Sequence, residues 1–376
     1  MKVLFLTASY PTPEEPLLGV FVKEHARAAG DHADVAVVHL DRASVRALHI
    51  DRAKDEEFPT WRVRYPRSPT AATYPGNALA AAVGYACARR AGFEPDVLHA
   101  HFFLAAAPAV AIGKALRKPV VVTEQWSVFL PEDPLSLTPL LERVARFAFS
   151  NADLVMPVSV ALADGIRALG VDTEIRVVPN VVDTTLFHEG ASARNGSRPQ
   201  LVGVGALYDA KGWDDLLEAI SLVTAGGRAV HLSLIGDGPL RSELEARTAA
   251  LRLGDSVTFE GWLAKEDVAE RVRSADLFVL ASRYDSNPCA LIEALASGLP
   301  VVATAVGGIP DMVGDSMGLL ARPGDPSDFA ARIGEALERD TWNRARIAAS
   351  AHDRYGRETV GRAFAAAYEE VVARRR

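Results

Sequence analysis

The sequence predicts an α/β protein with two domains, each built on a parallel β-sheet with helices on both faces. Three observations support this fold class. Short runs rich in β-branched residues alternate with Ala- and Leu-rich stretches, a pattern typical of parallel sheets. The chain has 376 residues, which is long for a single hydrophobic core. The alternation also stops at a polar segment and then starts again.

In the first half of the chain, six runs are predicted to be strands and the stretches between them helices. Because the runs do not alternate with polar residues, we expect strands that are buried on both faces. The predicted strands span residues 2–7, 33–40, 95–100, 119–123, 152–159 and 174–180.

A polar segment, TTLFHEGASARNGSRP at residues 184–199, separates the halves and is predicted to be a linker. The sequence from Asp325 to the end is predicted to be helical. Between these segments, strands are predicted at 200–207, 230–236, 256–261, 275–282, 299–304 and 318–322, and helices at 212–225, 239–253, 265–274 and 288–297.

We therefore predict an N-terminal domain over residues 1–183, completed by a terminal helix at 357–376, and a C-terminal domain over residues 184–356. Open parallel sheets bind ligands at the carboxyl ends of their strands. Two such edges facing each other would form a central cleft, and function is expected there.

Composition excludes several classes of partner and location. The net charge of −7 does not indicate a nucleic-acid partner. Two cysteines, Cys87 and Cys289, are too few for a disulfide framework and lack metal-ligand spacing. The opening MKVLFLTASYPTP is too short in its apolar part for a signal peptide, and no apolar run approaches the roughly 20 residues that span a bilayer. We expect a cytoplasmic protein without an integral membrane segment, whose oligomeric state the sequence leaves open.

The segment SRYDSNPCALIEALASGLPVVATAVGG, residues 282–308, carries the strongest chemical signal. Asn287 is predicted to be a helix N-cap and Pro288 the first helical residue. The N–H groups of Cys289 and Ala290 would then point outward at the positive end of the helix, where a phosphate binds well. Most helix starts bind nothing, so this feature alone does not define a site.

Glu293 lies in the middle of this helix among apolar neighbours. A buried carboxylate needs partners, because burying it alone costs several kcal/mol or neutralises it. Two partners fit equally well. One is a structural arginine, and the other is the pair of hydroxyl groups of a ribose.

At this point the sequence resembles the retaining nucleotide-sugar glycosyltransferases of the GT-B fold, family 4. The family signature is an acidic residue, seven residues and a Glu, followed by A-(M/L)-A-x-G-x-P-V-V and Gly-Gly. Here these positions are Asp285, Glu293, ALASGLPVVAT and Gly307-Gly308. The segments SYPTPEEPLLGVFV, PNVVDTTLF, VGALYDAKGWDDLLEAI and LIGDGPLRSELE also resemble family motifs, so the resemblance spans nearly the whole chain in the expected order.

The resemblance implies a role for each donor-site residue. Glu293 would accept hydrogen bonds from both ribose hydroxyls, and Asp285 would hold hydroxyls of the donor sugar. Lys211 would place its charge on the diphosphate, and Gly19 would allow a close backbone approach to it. The implied donor-binding residues are Gly19, Gly205, Lys211, Trp262, Leu263, Asp285, Ser286, Asn287, Cys289, Ala290 and Glu293. Without the family motifs, Lys211 would be interpreted as a solvated lysine, Gly19 as a turn residue and Trp262 as a packing residue.

The predicted N-terminal domain contributes further candidates at strand ends. His101 closes the strand at 95–100 and Gln125 follows the strand at 119–123. The resemblance implies that Lys211, Asp285, Gln125 and His101 form the catalytic group, although a single histidine is more often structural. Glu124 and Trp126 are predicted to bind the acceptor.

Three positions depart from the family pattern. Asp285 stands where Glu is usual, Ala206 where Arg is frequent and Gln125 where His is usual. Retaining members are thought to let the leaving phosphate take the proton of the acceptor, so loss of an imidazole is tolerable. The chain has no Asp-x-Asp metal motif. We therefore expect activity without a metal or other cofactor, on a donor that is a UDP-sugar.

Other functions fit the sequence less well. A nicotinamide oxidoreductase needs G-x-G-x-x-G, and Tyr208 occupies the third glycine position after Gly205. A nucleotide-sugar epimerase needs titrating groups, which Gln125 does not supply. A further alternative is a protein that binds nucleotide-sugars without catalysis. For the acceptor, a small natural product or aminocyclitol is one hypothesis and a cell-surface polysaccharide or glycolipid is the other. The region 41–76, rich in Arg, His and Pro, contains no readable motif.

Overall fold

The computed structural model describes residues 1–53, 57–67, 70–190 and 198–375. Residues 191–197 of the predicted linker lie outside the described residues. The chain divides into two compact units. Unit 1 comprises Met1–Val181 together with Arg357–Arg376, and unit 2 comprises Val182–Gly356.

Unit 1 contains a sheet of seven strands in the order β3-β4-β2-β1-β5-β6-β7. All neighbouring strands are parallel except β3 and β4, which are antiparallel. Its helices and strands within Met1–Val181 are β1 (Lys2–Thr7), α1 (Val20–Gly30), β2 (Asp34–Ala43), β3 (His49–Ala53), β4 (Thr60–Pro66), α2 (Thr70–Arg90), β5 (Val97–His101), α3 (Phe103–Leu116), β6 (Val120–Glu124), α4 (Pro139–Ser150), β7 (Leu154–Pro157) and α5 (Val160–Ala168).

Unit 2 contains a sheet of six parallel strands in the order β10-β9-β8-β11-β12-β13. Its elements are β8 (Gln200–Val204), α6 (Trp213–Ala225), β9 (His231–Ile235), α7 (Arg241–Ala250), β10 (Val257–Gly261), α8 (Lys265–Ser274), β11 (Leu277–Leu280), α9 (Cys289–Ala296), β12 (Val301–Thr304), α10 (Ile309–Met312), β13 (Gly318–Ala321), α11 (Pro326–Glu338) and α12 (Arg344–Tyr355). The chain then returns to unit 1 through α13 (Arg357–Ala373).

Both faces of each sheet are covered, which explains why the strands are apolar without alternation. In β1, Leu4 and Leu6 belong to the core cluster on one face, whereas Val3 and Phe5 belong to the cluster on the other. The second cluster includes residues of α1 and α13, such as Phe364. Unit 2 likewise has one cluster on each side of its sheet. The predicted fold class of two Rossmann-like α/β domains is therefore confirmed.

Two sequence predictions about strands are wrong. The predicted strand at 174–180 is an extended segment with a single bridge, between Val155 and Ile175. Pro157 in the neighbouring strand has no N–H to donate, so the ladder stops there. Conversely, β3 and β4 were not predicted. In β4 the apolar Trp61, Val63 and Tyr65 alternate with arginines, a pattern that differs from the continuous apolar runs of the other strands.

In each unit, the residues that follow the parallel strands meet at the carboxyl edge of the sheet, where open α/β sheets place their ligands. In unit 1 these include Gln125, after β6, and in unit 2 they include Gly205, after β8, and Ser282, after β11. Among the described residues, every helix is too short or too polar to span a bilayer.

Candidate functional site

Lys211 ends a short 3₁₀ turn, Asp209–Lys211, between β8 and α6. The next residue, Gly212, has a φ of 59°, and a Cβ there would lie 2.1 Å from the carbonyl oxygen of Ala281. Only glycine fits so close an approach. The N–H of Arg283 donates to the carbonyl of Ala210 at 2.8 Å. The turn that carries Lys211 is therefore fixed against the end of β11.

Lys211 and Asp285 form an ion pair in which Nζ lies 2.5 Å from Oδ2. The side chains are 26% and 12% exposed, so water and salt screen this attraction less than that of a surface pair. Ser282 Oγ donates to the same carboxylate oxygen at 3.4 Å. The backbone carbonyl of Asp285 accepts from the N–H of Gly308 at 3.0 Å. Asp285 thus links the Lys211 turn to the Gly-Gly turn after β12.

The start of α9 differs by one residue from the prediction. Pro288, with ψ of 116°, is the N-cap, and Cys289 is the first helical residue. Asn287 does not cap the helix, because its side chain is buried and its Nδ2 lies 3.3 Å from Met312 Sδ. The first N–H groups bonded to the cap carbonyl are those of Leu291 and Ile292. The N–H groups of Cys289 and Ala290 are therefore the orphan donors that the positive end of a helix presents.

Glu293 is half-buried, whereas Leu291, Ile292, Ala294 and Leu295 are fully buried. It is the one charged residue of α9, about one turn beyond Cys289. Burial raises the pKa of the Cys289 thiol to about 12, and the negative charges of Glu293 and Asp285 raise it further. Cys289 is therefore an unreactive thiol that lies within electrostatic range of both carboxylates.

Lys265 is a site residue that the sequence predictions missed. It is the first residue of α8, and its positive charge, like that of Lys211, lowers the pKa of Cys289. Its Nζ lies 5.7 Å from the ring centre of Phe187. Lys211 and Lys265 are the two lysines in the sequence of unit 2. Because lysine is rare in this arginine-rich chain, its rarity was a sequence signal that pointed to both residues.

The other predicted donor residues of unit 2 also lie at this edge. A Cβ on Gly205 would lie 3.2 Å from the Trp213 ring and 3.8 Å from Lys211 Cε. Trp262 is 55% exposed, so it is not a packing residue, and Leu263 packs partly against the core. The Oγ of Ser286 is buried and has no hydrogen-bond partner among the described residues.

Gly19, in unit 1, is required by its own loop. Its φ is 68°, and a Cβ would lie 2.3 Å from the carbonyl oxygen of Ser9. It also forms the N-cap of α1. The fold therefore accounts for this glycine without a ligand.

Gln125 is connected to a buried pair of histidines. Its Nε2 lies 3.4 Å from His25 Nδ1, and His25 Nδ1 lies 3.3 Å from His101 Nε2. His25 Nε2 must carry the hydrogen, because it lies 3.3 Å from the carbonyl oxygen of Pro179. In neutral His25, Nδ1 is then an acceptor with a single lone pair, which the N–H groups of Gln125 and His101 share or compete for.

His101, predicted to belong to the catalytic group, lies in the interior of unit 1. The side chain is fully buried, and its Nδ1 has no hydrogen-bond partner among the described residues. Burial holds the pKa of His101 well below its ordinary value, and the neighbouring His99 and His25 lower it further. His101 is a neutral histidine that contacts His25, which in turn contacts the amide of Gln125.

Glu124, which was predicted to bind the acceptor, has a fully buried side chain. Its carboxylate accepts the backbone N–H groups of Phe103, Gln125 and Trp126 at 2.8 to 2.9 Å. Phe102, just before this contact, has a φ of 68°, a strained conformation for a non-glycine residue. Glu124 therefore stabilises the turn after β5 and positions the residues after β6.

Trp126 lines a cavity of about 650 Å³ in unit 1. Its ring is stacked on Phe103, with ring centroids 5.7 Å apart and an interplanar angle of 12°. The cavity extends along the carboxyl edge from β1 to β6 and is also lined by Asp41, Arg42 and Tyr65.

Comparison with known proteins identifies the family. Residues 18–186 match the family model described as Glycosyltransferase Family 4, and residues 198–339 match the model described as Glycosyl transferases group 1. The chain belongs to glycosyltransferase family 4. This confirms the resemblance that the Asp285 and Glu293 segment indicated.

Relatives of this glycosyltransferase are named for different sugars and products. It is 29% identical over 292 residues to the sulfoquinovosyl transferase SQD2 of Arabidopsis thaliana. The aligned residues cover 73% of this chain and 53% of SQD2. It is 29% identical to TuaC of Bacillus subtilis (strain 168), named as a teichuronic acid biosynthesis glycosyltransferase, over 91% of this chain and 90% of TuaC. It is 28% identical to the 2-deoxystreptamine N-acetyl-D-glucosaminyltransferase of Streptomyces fradiae, covering 81% and 80%.

Solved structures have the same fold. A sucrose-phosphate synthase from Thermosynechococcus elongatus superimposes with a TM-score of 0.79 at 22% identity, covering 100% of both chains. Anabaena HepE in complex with UDP superimposes with a TM-score of 0.77 at 20% identity, covering 98% of this chain and 100% of that one. The expected GT-B architecture of two Rossmann-like domains is thus confirmed.

The described part of this glycosyltransferase contains no group of three or more His, Cys, Asp or Glu side chains arranged to hold a metal ion. The positive charges near α9 are those of Lys211 and Lys265. Lys265 is thus a second cation near α9. This matters because Ala206 occupies a position where the family frequently has an arginine.

The buried histidines make stability depend on pH. Burial lowers the pKa values of His25 and His39 to about 4 and those of His99 and His101 well below 6.5. Because unfolding lets each one protonate at its ordinary pKa of 6.5, stability present above pH 6.5 is lost as the pH falls toward 4. The loss is about 3 kcal/mol for each of His25 and His39 at pH 4.

Glu124 acts in the opposite direction. Burial raises its pKa to about 7, so its contribution to stability falls as the pH rises from 4.5 to 7. Four histidines outweigh one carboxyl, and we expect the urea midpoint of unit 1 to fall steadily between pH 6.5 and 4. The variant His188→Gln, at an exposed histidine of unit 2, should have the same profile. A midpoint that is flat across this range would contradict the neutral, buried histidines.

Proposed function

We propose that this chain is a retaining glycosyltransferase that moves a hexose or N-acetylhexosamine from a nucleoside diphosphate sugar to an acceptor hydroxyl. One observation carries the proposal. The ammonium group of Lys211, the free N–H groups at the start of α9 and the half-buried Glu293 lie at the carboxyl edge of one parallel sheet. Cations and helix N–H groups fit a diphosphate, and a carboxylate one turn away fits a ribose.

In the proposed complex, the N–H groups of Cys289 and Ala290 donate to the diphosphate, and Glu293 accepts from both ribose hydroxyls. Asp285 accepts from hydroxyls of the sugar, and the backbone around Ser286 donates to it. Trp262 and Leu263 flank the base. A UDP-linked donor is supported by the fold neighbour HepE, which was solved with UDP and with UDP-glucose.

The proposed reaction takes place on one face of the sugar. The bond between the anomeric carbon and the diphosphate oxygen breaks as the acceptor oxygen bonds to the same carbon. The proton of the acceptor hydroxyl passes to the leaving phosphate oxygen. Lys211 and the α9 N–H groups stabilise the charge that develops on the diphosphate. No step needs a protein base or a metal ion, which agrees with the neutral amide of Gln125.

The acceptor is proposed to bind in the cavity of unit 1, beside Trp126. Aromatic side chains such as this one provide apolar contact area for a sugar ring. Relatives support both acceptor hypotheses, since one is named for 2-deoxystreptamine and another for teichuronic acid biosynthesis.

Donor binding is tested by a thermal-shift screen of UDP, GDP, ADP and their sugars. We expect UDP and UDP-sugars to raise the melting temperature, because a ligand at 100 times its Kd stabilises the folded state by about 2.7 kcal/mol. Glu293→Ala should abolish the shift. Glu335→Ala, at an exposed glutamate of α11, is the matched control and should retain it. A full UDP shift in Glu293→Ala would contradict the ribose role.

Catalysis is tested by release of free UDP from UDP-sugar, with EDTA present throughout. We expect the wild type to release UDP slowly in EDTA, because no metal ion is required. Lys211→Ala should lower this rate about a hundred- to a thousandfold, since a preorganised charge on the leaving group is lost. Lys114→Ala, at an exposed lysine of unit 1, should behave as wild type. UDP binding without any release would favour a non-catalytic binding protein instead.

A further inference from the structure

The register of β2 and β4 separates the charges of the unit 1 cavity onto two sides. Leu40 pairs with Val63 and Arg42 with Tyr65, and paired side chains of parallel strands lie on the same face. Leu40, Val63 and Tyr65 belong to the core cluster on the α2 and α3 side of the sheet. Arg42 therefore projects from that face. Asp41, one position earlier, projects from the other.

The α1 side of the cavity carries three carboxylates and one arginine. Arg62 Nε donates to Asp41 Oδ2 at 2.7 Å, and its guanidinium also donates to Glu14 Oε2 at 3.0 Å. Glu15 follows Glu14 in the same loop. The acidic residues that line the cavity are thus Asp41, Glu14 and Glu15. They lie with Arg62, which pairs with two of them and leaves this side with a net negative charge.

Of the described residues that line the cavity, those on the α2 side include two arginines and no acidic residue. Arg67 Nε donates to the carbonyl oxygen of Arg42 at 3.2 Å, which places both guanidinium groups at the ends of β2 and β4. Among the described residues, no carboxylate pairs with either arginine. Both side chains are exposed and line the cavity.

The wall beside these arginines is hydrogen-bonded and partly apolar. Tyr65 donates to Asn77 Oδ1 at 3.1 Å, and Asn77 Nδ2 donates to the carbonyl of Leu104 at 2.7 Å. Trp126, stacked on Phe103, completes the wall. The α2 side therefore combines a fixed polar and aromatic surface with two unpaired positive charges.

We infer that the acceptor carries an anionic group, a phosphate or a carboxylate, which Arg42 and Arg67 bind while its sugar or apolar part lies against Trp126. The inference rests on the proposed function, since it names the chemistry of the substrate in the proposed acceptor cavity. Arginine suits this task because its planar fork donates two parallel hydrogen bonds to either anion. A purely cationic aminocyclitol does not fit the α2 side.

The experiment compares four probes of equal ring size: glucose 6-phosphate, glucuronate, glucose and glucosamine. Binding is measured by ligand-observed NMR with saturating UDP present, so that a phosphate cannot occupy the proposed diphosphate site. We expect at least one anionic probe to bind about ten- to a hundredfold more tightly than glucose and glucosamine. The phosphate and carboxylate arms identify which anion is preferred.

The double variant Arg42→Gln, Arg67→Gln should lose this preference and retain its thermal shift with UDP. Arg46→Gln, at a nearby exposed arginine that does not line the cavity, is the matched control and should retain both. The inference is overturned if no anionic probe binds, if glucosamine binds as tightly, or if the preference survives in the double variant. If UDP did not raise the melting temperature of the wild type, the proposed donor site would be contradicted instead.

Discussion

The ion pair between Lys211 and Asp285 is the interaction on which the proposed donor site depends. It joins two turns that are distant in sequence, and Gly212 allows them to approach closely. Without ligand, two lysines and two carboxylates balance each other around Cys289. In the proposed reaction a diphosphate takes the ammonium group of Lys211 from Asp285. The oxygens of Asp285 then become acceptors for sugar hydroxyls, so one pair serves both halves of the donor.

Much of the fold could be predicted from the sequence, because burial on both faces leaves continuous apolar runs in the strands. The bounds of α8 agree with the prediction at both ends. The errors have local causes that a search for apolar runs does not detect. Arginines interrupt β4, Pro157 ends the pairing of 174–180, and the extended ψ of Pro288 moves the start of α9 by one residue.

The sequence was less informative about which polar side chains reach a substrate. His101, Glu124 and Gln125 all lie near strand ends, yet two are fully buried and the third is half-buried. Their burial depends on partners that no local pattern reveals. Glu124 accepts from Phe103, and the neighbouring His99 lies 2.7 Å from the hydroxyl of Tyr368, which is 269 positions away. Lys265 was missed for the same reason, since only the fold brings it near Cys289.

The central claim is that the first turn of α9 binds a diphosphate and Glu293 binds the attached ribose. A crystal structure with bound UDP tests it most directly. The account predicts phosphate oxygens within hydrogen-bond distance of the Cys289 and Ala290 N–H groups, and both ribose hydroxyls on the Glu293 carboxylate. A nucleotide bound elsewhere, with Glu293 paired to a cationic side chain, would contradict it.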